Sequence, residues 1–186
     1  MATEKIILGI DPGTTIMGFG LVCCKGNNIE LITLDIIKLT HLDTHPLKLQ
    51  SIFKKVLMLI DSYHPDEVAL EAPFYGKNVQ SMLKLGRAQG VAMAAALYRD
   101  IPIFEYSPRK IKQSITGNGN ASKEQVSGMI NRIFTIAEQP KYLDATDAVA
   151  VALCHYYQNK SIESSSPAKK GSSWAAFIKD NPDRLK

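Results

Sequence analysis

The chain has 186 residues, of which 45% are hydrophobic and 22% are charged. This length suits one domain with a single core, and the composition is that of a globular protein, which excludes a chain disordered throughout. The net charge of +4 is too small to indicate a nucleic-acid-binding protein by itself.

Cysteine usage and hydropathy indicate where the protein works. Cys23, Cys24 and Cys154 lack the paired spacing of a zinc site, so we predict free thiols in a reducing compartment. The first apolar run, Ile6–Ile10, is too short for the core of a secretory signal. No uncharged apolar stretch approaches the roughly 20 residues of a membrane span. We therefore expect a soluble, cytoplasmic protein.

Three strands are predicted at the start of the chain. Short apolar runs over Lys5–Asp11, Met17–Lys25 and Asn28–Leu39 are separated by turn residues, among them Pro12 and Gly13. Because the turns are short, we expect the strands to form an antiparallel meander.

Helices and strands alternate in the remainder of the chain. The predicted elements are helix Leu47–Tyr63, strand Glu67–Ala72, helix Asn78–Arg99, strand Ile101–Tyr106, and helices Arg109–Thr116, Lys123–Phe134 and Asp144–Gln158. Ser122 and Gln125 have the spacing of a capping box at the start of the predicted helix Lys123–Phe134. A meander followed by this alternation predicts an α/β fold with a mixed five-stranded sheet flanked by helices.

The chain's composition changes near residue 160. We expect residues 1–160 to form the folded domain, and residues 161–186 to form a Ser-, Lys- and Gly-rich linker with a short C-terminal tail. Trp174, Phe177 and Ile178 form a small apolar cluster in that tail. Two interpretations stay open, a disordered tail or a short helix that docks on this protein or on a partner.

Four acidic residues stand at positions where a charge is costly. Asp11 ends the first predicted strand, with the small Gly9 on its face leaving room for a carboxylate, and Glu71 lies near the end of the fourth strand. Asp144 and Asp147 share one inward face of the last helix. Two ionised carboxylates on such a face need a compensating cation.

A cluster of carboxylates alone suits a hard cation such as Mg²⁺, for which Mn²⁺ could substitute. Two such ions about 4 Å apart can activate water and stabilise the leaving oxygen of a phosphodiester. Singly, each acid has a simpler interpretation: a turn residue for Asp11, a strand-end charge for Glu71, and a helix cap or dipole partner for Asp144 and Asp147. Together, in this order of elements, they favour a metal site.

Four blocks of sequence, in order, resemble the RuvC family of Holliday-junction resolvases. They are GIDPG at residues 9–13 with Gly18 and Gly20, EAPFYGKNVQSMLKLGRAQG at 71–90, KIKQSITGNGNASKEQV at 110–126, and DATDA at 144–148. The similarity runs from about Ile6 to about His155. Ala72-Pro73, the aromatic pair after it and the tail beyond Ser161 are departures that leave the acids intact.

The resemblance implies a ribonuclease H-like fold and a magnesium-dependent endodeoxyribonuclease. Such an enzyme resolves four-way junctions in recombination and repair by paired phosphodiester cuts. The resemblance assigns metal binding and catalysis, with two ions per site, to Asp11, Glu71, Asp144 and Asp147. It also implies a homodimer and the branch-migration proteins RuvA and RuvB as partners.

Basic residues are concentrated between residues 76 and 123, where eight Lys or Arg residues and two acidic residues give a net charge of +6. Such a segment suits a polyanion that must approach metal-bound carboxylates. By resemblance, Lys112 and Lys123 contact the scissile region. We expect the Gly-rich loop of residues 117–120 to bring backbone amides near phosphate. For Lys84 and Arg99 a solvated helix face is the favoured interpretation.

Two consecutive aromatic residues follow Glu71. By resemblance, Phe74 stacks on bases at the junction centre, and we expect Tyr75 and Lys77 to bind DNA beside it. A core position for Phe74 is the open alternative.

A strip of small residues on the second predicted helix is a candidate dimer interface. Gly86, Gly90 and Ala94 recur every four residues, and a glycine inside a helix costs roughly 1 kcal/mol, which indicates a packing role. The alternative is that this strip packs on the chain's own sheet.

Three other functions compete with a junction resolvase. An ATPase of the actin and Hsp70 type has a phosphate loop like residues 9–15, but the sequence has no second loop of that kind. A catalytically silent junction-binding module would not need all four acids. A related nuclease acting on RNA or simple duplex DNA shares the fold and the acids, so it stays open.

Overall fold

The structure is a computed structural model that describes residues 4–73, 78–136 and 142–164, with the backbone alone for 161–164. Its strands are β1 Glu4–Asp11, β2 Ile16–Lys25, β3 Asn28–Lys38, β4 Glu67–Glu71 and β5 Ile103–Tyr106. Its helices are α1 His45–Tyr63, α2 Val79–Leu97, α3 Pro108–Thr116, α4 Lys123–Phe134 and α5 Leu143–Ser164.

The five strands form one sheet in the order β3-β2-β1-β4-β5. β1, β2 and β3 pair antiparallel, whereas β4 is parallel to β1 and β5 is parallel to β4. This arrangement confirms the predicted meander and the mixed five-stranded sheet. The carboxyl ends of β1, β4 and β5 therefore lie side by side at one end of the sheet, which we call the acidic end because Asp11 and Glu71 are located there.

The predicted elements match the observed ones to within two residues at every boundary except one. The last helix was predicted to end at Gln158 but continues to Ser164. This boundary was predicted too early because neither Gly nor Pro interrupts the chain before Pro167. The first four residues of the predicted linker are therefore helical, and from residue 165 the predicted tail, with Trp174, Phe177 and Ile178, lies outside the described residues.

The hydrophobic core between the sheet and helices α1 and α2 contains fully buried aliphatic side chains. Leu8 and Leu70 come from the sheet, Ile52 from α1 and Ala92 from α2. Alanines dominate the buried face of α2, so this helix can lie close to its neighbours. By contact, the chain divides after Tyr156 into two units, Met1–Tyr156 and Tyr157–Lys186.

Three glycines in β1 and β2 allow α5 to lie directly on the sheet. An added Cβ would stand 2.0 Å from the Ala148 carbonyl oxygen at Gly9, 1.9 Å from the Asp144 carbonyl oxygen at Gly18, and 2.4 Å from Val149 Cγ2 at Gly20. The expectation that Gly9 leaves room for the Asp11 carboxylate was therefore wrong, since the space it leaves is filled by α5 backbone. Among the described residues, no helix has the length and hydropathy to cross a membrane.

Candidate active site

Four carboxylates from three elements lie together at the acidic end of the sheet. Asp11 and Glu71 directly follow Ile10 and Leu70, which pair in register between the parallel strands β1 and β4. Asp144 lies in the first turn of α5, and Asp147 is three residues further on the same side of the helix. Because α5 rests on the glycines of β1 and β2, its first turn is brought to the end of β1.

Lys123 lies among these carboxylates. Its Nζ is 2.6 Å from Asp147 Oδ2, 3.7 Å from Asp144 Oδ1 and 4.0 Å from Asp11 Oδ2. The lysine is the first residue of α4, and a capping box holds this helix end: Ser122 Oγ accepts from the Gln125 backbone, and the Gln125 side chain accepts from the Ser122 backbone. The predicted capping box is confirmed, and it fixes the helix end that carries this cation into the site.

Burial and mutual repulsion make Asp11, Glu71 and Asp147 hard to ionise. Burial, followed by the charge of Asp147, raises the pKa of Glu71 to about 7. Burial and the charge of Glu71 raise the pKa of Asp11 well above its ordinary value, and burial also raises the pKa of Asp147. Burial alone would lower the pKa of Lys123, but its ion pair with Asp147 raises it. With all four carboxylates ionised, the site would hold more negative charge than one ammonium neutralises.

The donor set fits a hard divalent cation. In the described part of the chain, no three His, Cys, Asp or Glu side chains are arranged around a common point to hold a metal ion, and the Lys123 ammonium lies between the carboxylates instead. Asp147 Oδ2 is buried, and its contact with Lys123 is an ion pair without the alignment of a hydrogen bond. Carboxylate oxygens with raised pKa values gain most from a divalent cation.

A cleft of about 330 Å³ opens on the carboxylates. It is lined by Glu71, Pro108, Ile111, Lys112, Lys123, Val126 and Asp147. The two lysines predicted to act at the scissile region therefore both lie at the site. The cleft is lined by apolar side chains and by charged groups of both signs. Its two lysines suit the approach of a polyanion to an acidic site.

Comparisons with known proteins identify the family. Residues 7–155 match the family model described as crossover junction endodeoxyribonuclease RuvC. The chain is 56% identical over 98% of its length to the RuvC protein of Cytophaga hutchinsonii, of which the match covers 89%. It is 58% identical over 98% of its length to that of Bacteroides fragilis, of which the match covers 97%.

The chain belongs to the RuvC family.

A solved RuvC structure supports this membership. The structure described as Thermus thermophilus RuvC in complex with Holliday junction substrate superposes with a TM-score of 0.78 at 30% identity, covering 84% of this chain and 96% of that one. The predicted ribonuclease H-like fold is thereby confirmed. Membership of a family of crossover junction endodeoxyribonucleases decides against an ATPase of the actin and Hsp70 type.

Two buried polar residues, one beside Glu71 and one about two turns along α5 from Asp147, were missed by sequence analysis. Gln89 on α2 is 4% exposed, and its Nε2 donates to Glu105 Oε1 at 2.6 Å and to the Glu71 carbonyl at 3.3 Å. His155 on α5 is fully buried. The signal was available, because each is a polar residue on a helical face otherwise made of alanine or aliphatic residues.

The remaining predicted site residues have different outcomes. Phe74, Tyr75 and Lys77 lie outside the described residues. Arg99 forms an exposed, bidentate ion pair with Asp61, with Nε 2.7 Å from Oδ1 and Nη2 2.9 Å from Oδ2. This confirms its interpretation as part of a solvated surface.

The small-residue strip on α2 faces outward. Gly86, Gly90 and Ala94 are exposed, and an added Cβ at either glycine would meet nothing within 4 Å in the described part of the chain. Packing of this strip on the chain's own sheet, the alternative left open by the sequence, is therefore wrong.

The Gly-rich loop after α3 does not present its amides as expected. Asn118 N donates to Thr116 Oγ1, Asn120 N donates to Asn118 Oδ1, and Ala121 N donates to the Asn118 carbonyl. These three amides are used inside the loop. The loop instead ends α3 at Gly117, whose φ of 75° is one that glycine adopts readily, and leads into α4.

Proposed function

We propose that this chain is a magnesium-dependent endonuclease that resolves four-way DNA junctions by paired cuts, with Asp11, Glu71, Asp144 and Asp147 as its metal ligands. The observation that carries the proposal is the gathering of Asp11, Asp144 and Asp147 within 4.0 Å of the Lys123 ammonium, with Glu71 lining the same cleft. Charges collected at this cost have a function, since a core without them would be more stable.

The four carboxylates would hold Mg²⁺, or Mn²⁺, through oxygen ligands alone. Such ions, when bound, activate the attacking water and stabilise the leaving oxygen of a phosphodiester. The chain's own contribution is to hold the acids at fixed places: two follow neighbouring strands, and two project from a helix seated on glycines. Neither strand end can move without disturbing the sheet.

Lys112 and Lys123 supply the positive charge that DNA needs beside an acidic site. Lys123 has a side chain about half exposed, at 51%, so its ammonium can move from the carboxylates towards a phosphate. Lys112 projects from α3 into the same cleft and lowers the pKa of Glu71 through its charge, although burial dominates. Both lysines would stabilise the charge that develops on the scissile phosphate.

A second group of basic residues lies where α1 and α2 begin, at the acidic end of the sheet. The pKa of His45 is lowered by burial and by the nearby charges of Arg87, Lys84 and Lys48. We propose that this group binds the DNA backbone beyond the cleft, which revises the solvated-face interpretation of Lys84. Phe74, Tyr75 and Lys77, which lie between Glu71 and α2 in the sequence, would bind the junction DNA.

Paired cuts need two active sites related by a two-fold axis, and each chain supplies one carboxylate cluster. We propose that the exposed strip of Gly86, Gly90 and Ala94 packs against the same strip of a second copy. The RuvA and RuvB proteins, as partners, and a cytoplasmic location remain predictions from the family resemblance.

The test is cleavage of a synthetic four-way junction against a linear duplex of matched sequence, with and without Mg²⁺. Cleavage of the junction alone, dependent on the ion, is expected. Asp11→Asn and Asp147→Asn should abolish cleavage while junction binding survives, and Asp35→Asn, an exposed carboxylate on β3, serves as the matched control. Retained cleavage in Asp11→Asn would contradict the metal site, and equal cleavage of both substrates would favour a general duplex nuclease.

A further inference from the structure

The helix that carries Asp144 and Asp147 is also attached to the sheet through a buried histidine. His155 lies eight residues after Asp147, about two turns along α5, and is fully buried. Its Nε2 is 2.6 Å from Glu67 Oε2, and its Nδ1 is 2.7 Å from the Tyr106 hydroxyl. The ring also packs on Phe104, with centroids 4.3 Å apart.

The neutral ring of His155 satisfies both hydrogen bonds. Burial lowers the pKa of His155 although Glu67 acts to raise it, which favours the neutral ring with one donor and one acceptor. The Tyr106 hydroxyl then donates to Nδ1, and Nε2–H donates to the Glu67 carboxylate. Glu67 also accepts from Lys5 Nζ at 2.6 Å, and these partners lower its pKa against the effect of burial. The histidine thus makes two directional bonds with defined polarity.

These bonds reach the two strands around Glu71. Glu67 begins β4 and Glu71 ends it, so the strand held by His155 is the one that presents the catalytic carboxylate. Tyr106 pairs in register with Glu71 across β4 and β5. One side chain of α5 therefore connects the helix that bears Asp147 to both strands that fix the position of Glu71.

The contacts of α5 with two glycines of the sheet are of a different kind. At Gly9 and Gly20 the helix meets the sheet through close van der Waals contact, which limits its distance but not its rotation about its axis. Hydrogen bonds to both ring nitrogens of His155 depend on direction. They therefore fix the rotation of α5 about its axis and its position along the sheet. A change in either would move Asp147 relative to Glu71.

We propose that His155, together with Glu67 and Tyr106, is a positioning residue that sets the spacing between Glu71 on β4 and Asp147 on α5. The inference rests on the proposed metal site, whose ligands include both carboxylates. Removing a residue that orients metal ligands typically lowers metal affinity or activity by about 10- to 100-fold.

The decisive variant is His155→Phe, which keeps an aromatic ring against Phe104 and removes both hydrogen bonds. The first measurement is made without DNA: the Mn²⁺ concentration that gives half of the maximal rise in melting temperature. The second is the Mg²⁺ concentration for half-maximal junction cleavage. We expect both concentrations to rise about 10-fold, while junction binding without metal stays unchanged.

Two companion variants keep the test decisive if His155→Phe folds poorly. Tyr106→Phe removes one of the two hydrogen bonds and should raise both concentrations by about 3-fold, less than the roughly 10-fold expected when both bonds are lost. His155→Gln keeps a donor and an acceptor on a flexible chain, and it should recover part of the loss.

The matched control is Tyr156→Phe. This neighbour on the same helix donates its hydroxyl to the Gly26 carbonyl at 2.7 Å, in the turn at the opposite end of the sheet from Asp147. It should lower the melting temperature without changing either metal concentration. A loss of melting temperature alone in all the variants, with unchanged metal concentrations, would overturn the positioning role. If the wild-type protein shows no Mn²⁺-dependent stabilisation, the proposed metal site fails first and the positioning role fails with it.

Discussion

Gly18 and Asp144 are in backbone contact: a Cβ atom added to Gly18 would stand 1.9 Å from the Asp144 carbonyl oxygen. Gly18 also pairs in register with Asp11 across β1 and β2. One glycine therefore lies between a carboxylate of the first strand and a carboxylate of the last helix. Since a side chain there would push α5 away, the absence of one brings two distant parts of the chain into one site.

Gly18→Ala is expected to damage stability and activity together. The neighbouring atoms are backbone and cannot rotate away, so we expect a loss of about 3 kcal/mol in the free energy of unfolding, at the upper end of the range for overpacked cores. A displacement of Asp144 by about 1 Å would lower cleavage about 100-fold. Urea unfolding and junction cleavage measure the two effects.

Gly128→Ala is the control for this substitution. Gly128 lies inside α4, and an added Cβ there meets nothing within 4 Å in the described part of the chain. Alanine should therefore stabilise the protein by about 0.5–1 kcal/mol. If Gly18→Ala behaves like Gly128→Ala, the contact with α5 does not constrain the site.

Without metal, the protein should lose stability as pH rises from about 4.5 to about 7. Glu71 has an ordinary pKa of 4.5 and a pKa of about 7 in the fold, so the folded state binds more protons across this range. The free energy of unfolding then falls with pH, by an amount on the order of 3 kcal/mol for this group. The raised pKa values of Asp11 and Asp147 act in the same direction.

Urea unfolding at pH 5 and pH 8 measures this loss, with and without Mg²⁺. The ion should restore stability at pH 8, because it favours the ionised carboxylates. In Glu71→Gln the difference between the two pH values should shrink. If the free energy of unfolding changes between pH 5 and pH 8 by the same amount in the wild type and in Glu71→Gln, the raised pKa of Glu71 is contradicted.

Replacing Lys112 or Lys123, at the site, should have a different effect on cleavage and binding from replacing Lys77, which we propose binds DNA outside it. Lys112→Ala and Lys123→Ala are expected to slow cleavage about 100-fold, because each removes one group that stabilises charge in the transition state. Both variants should weaken junction binding much less. Lys77→Ala should weaken binding and reduce the slope of its salt dependence by about one. Lys54→Ala, on the exposed side of α1, is the control. Equal losses of rate and affinity in the first three variants would remove the special role of Lys112 and Lys123.

Gly90→Leu should separate the dimer and leave the fold intact. Gly90 is exposed with open space beside it, so a leucine fits the single chain but obstructs close approach of a second α2. We expect a dimer at micromolar concentration for the wild type and a monomer with an unchanged melting temperature for the variant, by light scattering. Gly128→Leu should remain a dimer. A monomeric wild type that still makes paired cuts would contradict the proposed interface.

Phe74→Ala tests the proposed contact with the junction. Base stacking on an aromatic is worth roughly 1–3 kcal/mol, so cleavage should fall about 10- to 100-fold. The melting temperature should change little, and a large fall would show instead that Phe74 is a core residue.

The sequence by itself determined most of the secondary structure and the four acids. Helical and strand periodicity are local properties, so boundaries such as those of α4 could be read from Ser122, Gln125 and the apolar spacing. The acids were visible because Asp and Glu are unusual on inward faces, and four ordered blocks gave them a common role. The end of α5 was misplaced because neither Gly nor Pro follows Gln158 before Pro167, so the sequence has no local stop signal there.

Only the tertiary structure decided how these elements meet. No local pattern shows that Gly18 touches Asp144, or that His155 reaches Glu67, because these contacts join positions far apart in sequence. The same holds for the loop amides, which a Gly-rich sequence offers to phosphate but which the folded loop uses internally. Burial, too, is a property of the whole fold, and it is burial that raises the pKa of Glu71 to about 7.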